Sequence, residues 1–311
     1  MQASARVAFL GNDAWSVPSL EALAASRHEI ALVVTAAAKP AGRGSRPRPT
    51  VVAAAARDLD LPLAEVETAR AGTGFEHLVS ASPDVLVVVA YGEILPAAVL
   101  NVPAIAPVNL HFSLLPELRG ASPVQHALLL GLERTGVTTM VMDEGLDTGP
   151  VLLQREQRIV PSDDAGTLGA RLAATGAGVL VETIDALVTK SITPTPQDDS
   201  KATSAPKLKA EDRVLVWTDA AADLVDRCRA LSPEPAATTT FRERTLKVYR
   251  GDTVHETGAP GAIVAVTQEG PVVATGTGGF RVLDVAPEGR KRMSGSDFVN
   301  GFRPRVGERL G

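Results

Sequence analysis

Short apolar runs alternate with helix-like segments along the first two thirds of the chain. The predicted strands lie at 6–10, 29–35, 62–65 and 84–90, and the predicted helices at 16–24 and 50–58. The run at 84–90 is continuously apolar and rich in valine, which is typical of a central parallel strand covered on both faces. Strands that alternate with helices predict βαβ units, and therefore an α/β domain with a Rossmann-like, mostly parallel sheet.

The last third of the chain has a different pattern. Residues 191–207 are dominated by proline and small polar residues with almost no apolar periodicity, which predicts a linker. After a short helix near 219–230, several short strands are separated by Gly-rich turns, and a small OB-like β-barrel is the natural closure for them. We therefore expect an α/β domain at 1–190, a linker at 191–207 and a β-barrel at 208–311.

Two polar side chains interrupt the apolar strand that ends near residue 112. Val108, Leu110 and Phe112 alternate with Asn109 and His111, and successive strand side chains point to opposite faces. We therefore expect Asn109 and His111 to project to one side at the end of the strand. An amide and an imidazole side by side are suited to hold a developing oxyanion and to move a proton.

A carboxylate that could serve the same site lies in the turn 142–150. Asp147 lies between Gly145 and Gly149, where the backbone can bend tightly and approach a partner. Residues 136–142 and 151–160 have the pattern of an antiparallel pair on either side of this turn. Such a turn could lay the Asp147 carboxylate against His111.

The segment 36–49 is strongly basic. Its positive charges are Lys39, Arg43, Arg46 and Arg48, it has no acidic residue, and its proline and glycine content predicts no regular structure. A solvated surface loop and a mobile arm that docks on phosphates are both compatible with this composition.

Composition narrows the classes of function. The chain has 311 residues, 45% of them apolar and 22% charged, which is typical of a soluble globular protein. Only 4% are aromatic, which argues against base-stacking platforms, and the net charge of −5 argues against broad non-specific nucleic-acid binding. The single cysteine, Cys228, rules out an intrachain disulfide. The turn at 11–14 has one glycine where a dinucleotide-binding fingerprint needs three.

Charge is distributed unevenly between the expected domains. Residues 1–207 hold 16 basic and 22 acidic side chains, whereas residues 208–311 hold 15 and 14. The basic clusters of the barrel are Arg242, Arg244, Lys247 and Arg250, then Arg290, Lys291 and Arg292, then Arg303 and Arg305. Basic clusters are usually solvated faces, but three of them on a small barrel, together with the segment 36–49, favour a track for the phosphates of a nucleic acid. We find no targeting segment and no apolar run near the roughly 20 residues that span a bilayer, and expect a cytoplasmic, bacterial protein without membrane contact.

Two motifs together resemble a known family. The pattern Asn-x-His-x-Ser-Leu-Leu-Pro-x-x-Arg-Gly at 109–120, followed by Gly-Leu-Asp-Thr-Gly at 145–149, resembles the folate-dependent formyltransferases, which transfer a formyl group from 10-formyltetrahydrofolate to an amine. The basic segment, the linker and the barrel point to the methionyl-tRNA formyltransferase family within that group. The resemblance covers nearly the whole chain, although Glu234 and Ala236 stand where the family has an aromatic residue and a glycine.

The resemblance implies the formyltransferase fold and a catalytic set. Asn109 and His111 would stabilise the oxyanion, and Asp147 would orient His111 and take the proton of the amine. The reaction would use 10-formyltetrahydrofolate as co-substrate and no metal ion. The segments that would line the folate pocket contribute Tyr91, Gly92, Ser113, Leu114, Leu115 and Pro116.

The resemblance also implies a macromolecular substrate. A monomer would formylate initiator methionyl-tRNA, with Arg43 as the matching arginine of a loop that enters the acceptor stem and with Lys39, Arg46 and Arg48 beside it. Two alternatives stay open at this point. One is a formyltransferase for a small sugar-linked amine, with the barrel as an unrelated appendage. The other is a non-catalytic RNA-binding protein that reuses the fold, although the three catalytic side chains argue against it.

Overall fold

The computed structural model describes residues 4–40 and 47–311, which divide into two compact units. The first unit comprises residues up to 123 together with 134–158 and 169–206. The second comprises 124–133, 159–168 and 207–311. The predicted α/β domain thus supplies most of the first unit, and the predicted barrel supplies most of the second.

Strands and helices alternate in the first part of the chain, as the apolar pattern predicts. In chain order they are β1 (Arg6–Gly11), α1 (Val17–Ala24), β2 (Glu29–Ala36), β3 (Lys39–Pro40), β4 (Pro47–Arg48), α2 (Val51–Asp58), β5 (Leu63–Val66), α3 (Gly72–Ala81), β6 (Val85–Val89), α4 (Ala97–Leu100), β7 (Ala106–His111), α5 (Pro123–Leu129), β8 (Arg134–Val141), β9 (Val151–Arg158) and α6 (Ala165–Val188). Thr50 caps α2 by accepting a hydrogen bond from Ala53 N, and Asp164 accepts one from Thr167 N at the start of α6.

The main sheet has the order β5-β2-β1-β6-β7-β8-β9. The strands from β5 to β7 are parallel, whereas β8 and β9 are antiparallel to their neighbours. Every residue of β6 is buried, in agreement with its continuous apolar run. Val89 of β6 pairs with Leu110 of β7, so the segments that follow both strands leave the sheet at one edge. We call this edge, where β1, β2, β6 and β7 end, the carboxyl rim; open α/β sheets bind ligands there.

Helix α6 packs closely on β7 because a small residue faces the strand. A Cβ atom on Gly176 would lie 2.7 Å from a methyl carbon of Leu110. Leu110 therefore faces α6, and the alternation of side chains along a strand turns Asn109 and His111 to the opposite face of the sheet.

Regular structure extends into the basic segment, contrary to the expectation from its composition. Strand β2 runs to Ala36, and the two-residue strands β3 and β4 pair antiparallel, with Lys39 opposite Arg48. Proline is compatible with so short a pair because edge positions need few backbone N–H donors.

Residues 191–206 lie in the region expected to be a linker. They belong to the first unit and pack on other segments of it. Thr195 forms a bridge with Val151, and Ser204 forms one with Arg119. Arg119 N donates to Thr203 O at 2.8 Å, and Ala205 N donates to Arg119 O at 2.7 Å. The segment contains one 3-10 turn at Asp199–Lys201, and the backbone on either side of it finds its hydrogen-bond partners in β9 and in the loop after β7.

The second unit contains a small antiparallel barrel. Its elements are α7 (Ala221–Leu231), β10 (Ala237–Phe241), β11 (Arg244–Val254), β12 (Ile263–Val266), β13 (Pro271–Ala274), β14 (Gly279–Pro287), β15 (Met293–Ser294) and α8 (Gly295–Phe302). The strand order is β10-β11-β14-β13-β12, and β15 pairs with β14. Leu310 bridges to Phe241 beside β10, and Arg309 bridges to Ala262 beside β12, so the last residues close the sheet.

The apolar pattern did not indicate β15, α8 or this closing segment. All three are short, and their positions depend on pairing with residues that are distant in sequence. The barrel core includes Phe280 and Phe298, both fully buried, together with Cys228 on α7. Cys228 is a free cysteine and is fully buried.

Candidate active site

The structure brings together the three polar side chains to which the sequence pointed, Asn109, His111 and Asp147. The Asn109 Nδ2 atom lies 3.4 Å from Asp147 Oδ1, and the His111 Nδ1 atom lies 3.6 Å from Asp147 Oδ2. The His111 side chain is 6% exposed and that of Asp147 is 12% exposed. Water is therefore largely excluded from the carboxylate and the ring, and their mutual interaction is weakly screened.

The second nitrogen of His111 orients the ring. The Nε2 atom lies 2.9 Å from the carbonyl oxygen of Leu118. A carbonyl only accepts, so Nε2 carries a proton in this contact. The Nδ1 atom then faces Asp147 with its lone pair in the neutral ring, and with an N–H once the ring is protonated. The arrangement lets His111 accept a proton at Nδ1. The resulting N–H group then faces the Asp147 carboxylate, to which it can donate.

A strained turn carries Asp147. Its φ of 55° lies in the left-handed region, which aspartate adopts more readily than most residues. Asp147 Oδ2 accepts a hydrogen bond from Gly120 N at 2.8 Å. Within the turn, Asp143 Oδ1 accepts from Gly145 N at 3.0 Å and from the Thr148 hydroxyl at 2.7 Å. These contacts hold the carboxylate against β7.

Sequence reasoning missed two side chains behind the turn. The Gln197 amide donates to Asp147 O at 2.8 Å and to Gly149 O at 2.7 Å. The Arg119 guanidinium in turn donates to Gln197 Oε1 at 3.1 and 2.8 Å. Arg119 belongs to the 109–120 motif, but Gln197 lies in the region expected to be a linker, where no local pattern marks it.

The loop 113–116 that was assigned to a folate pocket is fixed by internal hydrogen bonds. The Ser113 hydroxyl donates to Glu117 O at 2.6 Å, and the Thr138 hydroxyl donates to Ser113 O at 2.6 Å and accepts from Leu115 N at 3.1 Å. Ser113 and Leu115 are buried, whereas Leu114 and Pro116 are partly exposed. The latter two are the side chains of this loop that a ligand can reach.

The second predicted folate segment follows β6. The Tyr91 side chain is 4% exposed and packs in the core, and burial, reinforced by the nearby Glu93 carboxylate, raises the pKa of Tyr91 to about 12. Its phenol is therefore neutral near pH 7. Gly92, by contrast, is exposed and has a φ of 83°. The Asn12 amide donates to Tyr91 O and accepts from Ala36 N at 2.8 Å, which ties this segment to the end of β2.

The predicted tRNA contacts are only partly described. Arg43 and Arg46 lie outside the described residues, Lys39 is placed by its backbone in β3, and Arg48 of β4 is exposed.

Two of the basic residues predicted on the barrel form internal contacts. Arg242 pairs with Glu308 and donates to Phe302 O, while Arg292 pairs with Asp284 and stacks on Tyr249. The other basic residues of the predicted clusters are exposed, namely Arg244, Lys247, Arg250, Arg290, Lys291, Arg303 and Arg305.

In the part of the chain that the structure describes, no helix is long and apolar enough to cross a bilayer. Within residues 4–40 and 47–311, no group of three or more His, Cys, Asp or Glu side chains is placed to hold a metal ion.

Comparison with known proteins gives matches over both units. The family model described as formyl transferase matches residues 5–184, and the model described as formyl transferase, C-terminal domain, matches residues 207–303. The methionyl-tRNA formyltransferase of Solibacter usitatus is 42% identical over 98% of this chain and 98% of its own length. The methionyl-tRNA formyltransferase of Thermus thermophilus is 42% identical over 98% of this chain and 99% of its own length.

Solved structures share the fold at low sequence identity. HypX from Aquifex aeolicus in complex with tetrahydrofolic acid aligns with a TM-score of 0.63 and 15% identity, over 98% of this chain. The chain spans 48% of the length of that protein. An N-formyltransferase from Helicobacter canadensis, solved with folinic acid and dTDP-3-aminofucose, aligns with a TM-score of 0.65 and 14% identity, over 89% of this chain and 98% of its own.

Proposed function

The chain belongs to the methionyl-tRNA formyltransferase family, and from this premise we propose how its residues carry the reaction. The enzyme transfers a formyl group from a formyl-tetrahydrofolate to the α-amine of methionyl initiator tRNA. We assign 10-formyltetrahydrofolate as the donor. The site is assigned because Asn109, His111 and Asp147 converge at the carboxyl rim. The Asp147 carboxylate lies 3.4 Å from Asn109 Nδ2 and 3.6 Å from His111 Nδ1.

The transfer begins when the amine nitrogen attacks the formyl carbon. A C–N bond forms, the carbonyl π electrons move to oxygen, and the amine nitrogen becomes positively charged. Asn109 donates a hydrogen bond to the new oxyanion, which costs no reorganisation because β7 already holds the amide. The Nε2–H group of His111 donates a hydrogen bond to Leu118 O, which orients the ring. The Nδ1 atom is then the position at which the imidazole accepts or donates a proton.

The intermediate then collapses towards product. Asp147, through His111 or a water molecule, removes the proton from the amine nitrogen. The oxyanion electrons re-form the carbonyl, the bond from carbon to N10 of the folate breaks, and N10 receives a proton. The products are tetrahydrofolate and formylmethionyl-tRNA. The side chains of the chain suffice for each proton transfer.

Two surfaces are proposed to bind the tRNA. The exposed Arg48 supports a phosphate-binding role for the basic segment, in which Arg43, Lys39 and Arg46 would take part. The exposed basic residues of the barrel support a second contact area, and the acidic balance of residues 1–207 limits non-specific binding elsewhere. A monomeric, cytoplasmic enzyme remains our expectation.

The acceptor is tested directly by a transfer assay. We expect formylation of methionyl initiator tRNA from 10-formyltetrahydrofolate, and at least tenfold less of methionyl elongator tRNA under the same conditions. A small sugar-linked amine serves as a third acceptor. Preference for that amine would contradict the tRNA assignment and favour the open alternative.

The catalytic roles are tested by substitution. Asn109→Ala, His111→Ala and Asp147→Asn should each lower kcat by about 10²–10³, the usual cost of losing one transition-state contact, while equilibrium binding of 10-formyltetrahydrofolate is retained. His77→Ala, which removes an exposed imidazole from α3, is the matched control and should leave kcat unchanged. Near-normal turnover by the His111 variant would overturn the assignment.

A further inference from the structure

The segment 195–205, which we call the bracing segment, contacts both the His111 side and the Asp147 side of the site. Gln197 holds the Asp147 turn from behind, and Thr203 holds the loop that carries Leu118. Resting on the proposed function, we infer that Gln197 is a positioning residue for Asp147 and that the bracing segment is part of the active site.

The Gln197 amide is anchored at both of its polar atoms. Its nitrogen donates to two backbone carbonyls of the turn, Asp147 O at 2.8 Å and Gly149 O at 2.7 Å. Its Oε1 atom accepts twice from Arg119, whose side chain is 13% exposed. A side chain anchored in this way has little rotational freedom left. It therefore fixes the distance between Arg119 and the carbonyl groups of Asp147 and Gly149, which both follow the Asp147 side chain in the sequence.

The Asp147 turn needs such support because its conformation is not the intrinsically preferred one. Asp147 has a φ of 55°, and a left-handed residue persists only where its surroundings determine it. Gly145, Leu146 and Glu144 in the same turn are exposed and add no packing. Asp143 accepts hydrogen bonds from Gly145 and Thr148 within the turn, and the hydrogen bonds from Gln197 and from Gly120 N add the restraint that comes from outside it.

The same segment positions the partner of His111. The Thr203 hydroxyl accepts from Leu118 N at 2.8 Å, and Leu118 O accepts from His111 Nε2 at 2.9 Å. Thr203 O accepts from Arg119 N at 2.8 Å, one residue further along. The peptide groups that orient the imidazole and the peptide group that binds Asp147 are thus held by the same bracing segment, in which a 3-10 turn at Asp199–Lys201 lies between Gln197 and Thr203.

The test separates positioning from folding and from packing. Gln197→Ala removes the hydrogen bonds that the Gln197 amide donates to Asp147 O and Gly149 O and those that it accepts from Arg119. Gln197→Glu keeps the length of the side chain and its pairing with Arg119 but replaces the donor by a carboxylate oxygen that faces two carbonyls. We expect both variants to lower kcat by about 10- to 100-fold, as a displacement of about 1 Å does, with KM for each substrate changed less than threefold and the melting temperature within 3 °C.

Controls distinguish this inference from the proposed function. Gln157→Ala removes a half-buried amide of β9 that accepts from Thr175 instead, and should retain full kcat. Arg119→Lys keeps a donor for Gln197 Oε1 and should lose less activity than Arg119→Ala. If His111→Ala and Asp147→Asn lose activity while Gln197→Ala keeps it, the positioning role is wrong and the proposed function stands. If the His111 and Asp147 variants keep activity, the proposed roles themselves are wrong.

Discussion

The buried imidazole of His28 makes the stability of the protein depend on pH. Its Nδ1 atom accepts from Ala5 N at 3.2 Å, and its Nε2 atom lies 2.9 Å from Asp185 of α6. Burial lowers the pKa of His28 below its ordinary value of 6.5, and the Asp185 carboxylate opposes this shift without cancelling it. The ring therefore stays neutral in the folded protein at a pH where the unfolded chain already binds a proton.

This difference predicts a loss of stability on mild acidification. Because the folded pKa is the lower one, the unfolded state binds more protons as the pH falls below about 6.5, and the free energy of unfolding decreases towards the folded pKa. Well above pH 6.5 the ring is neutral in both states and the effect vanishes. Urea unfolding at pH 7.5 and pH 5.5 checks the decrease, and His28→Gln should reduce it; an unchanged pH dependence in the variant would contradict the prediction.

At the scale of elements, the conformation of the loop after β7 depends on the bracing segment that packs against it. Gly120 has a φ of 128°, and a Cβ atom there would lie 2.5 Å from Ala205 O of the bracing segment. The same residue donates its N–H to Asp147. A glycine is required here because two backbones approach each other more closely than any side chain allows.

Gly120→Ala should therefore destabilise the protein and impair the site together. A backbone region that residues with a Cβ atom rarely adopt costs about 1–3 kcal/mol, and the contact with Ala205 adds to it. We expect a lower free energy of unfolding in urea and a lower kcat at saturating substrates.

A second glycine provides the matched control for this prediction. Gly178 is exposed on α6 and a Cβ atom there would meet nothing within 4 Å. Gly178→Ala should stabilise the helix by up to about 1 kcal/mol and leave kcat unchanged. Equal effects of the two substitutions would show that Gly120 has no special role.

At the scale of the whole molecule, residues 1–207 and residues 208–311 differ in the charge that they offer a polyanion. Residues 208–311 are nearly balanced, with 15 basic and 14 acidic side chains, but Arg242, Arg281 and Arg292 form ion pairs with acidic residues of the barrel. The exposed basic residues that are left, such as Arg290 and Lys291, are the ones that can reach phosphates.

The salt dependence of tRNA binding tests this distribution. Removing one cation that binds a phosphate should reduce the magnitude of the slope of log K against log salt by about one. A double variant, Arg290→Ala with Lys291→Ala, should therefore bind initiator tRNA more weakly at low salt and with a shallower slope. Arg6→Ala is the control, because Arg6 pairs with Glu29 at the amino end of β1, opposite the carboxyl rim. A slope unchanged by the double substitution would remove the barrel cluster from the proposed interface.

Local pattern determined much of this protein. The alternation of apolar runs and helical segments predicted the parallel sheet, because strand and helix periodicities differ and each must bury its apolar face. The alternation along β7 predicted that Asn109 and His111 share a face, and the two motifs at 109–120 and 145–149 carried the resemblance to a family.

Only the tertiary structure decided what holds these groups in place. The position of Asp147 depends on Gly120 and Gln197, which lie 27 and 50 residues away from it in the sequence. Leu118 O faces His111 because Thr203 binds the same residue from behind. A polar, proline-rich stretch has no periodicity from which such contacts could be predicted, since its backbone hydrogen bonds are made with whatever chain the fold brings alongside.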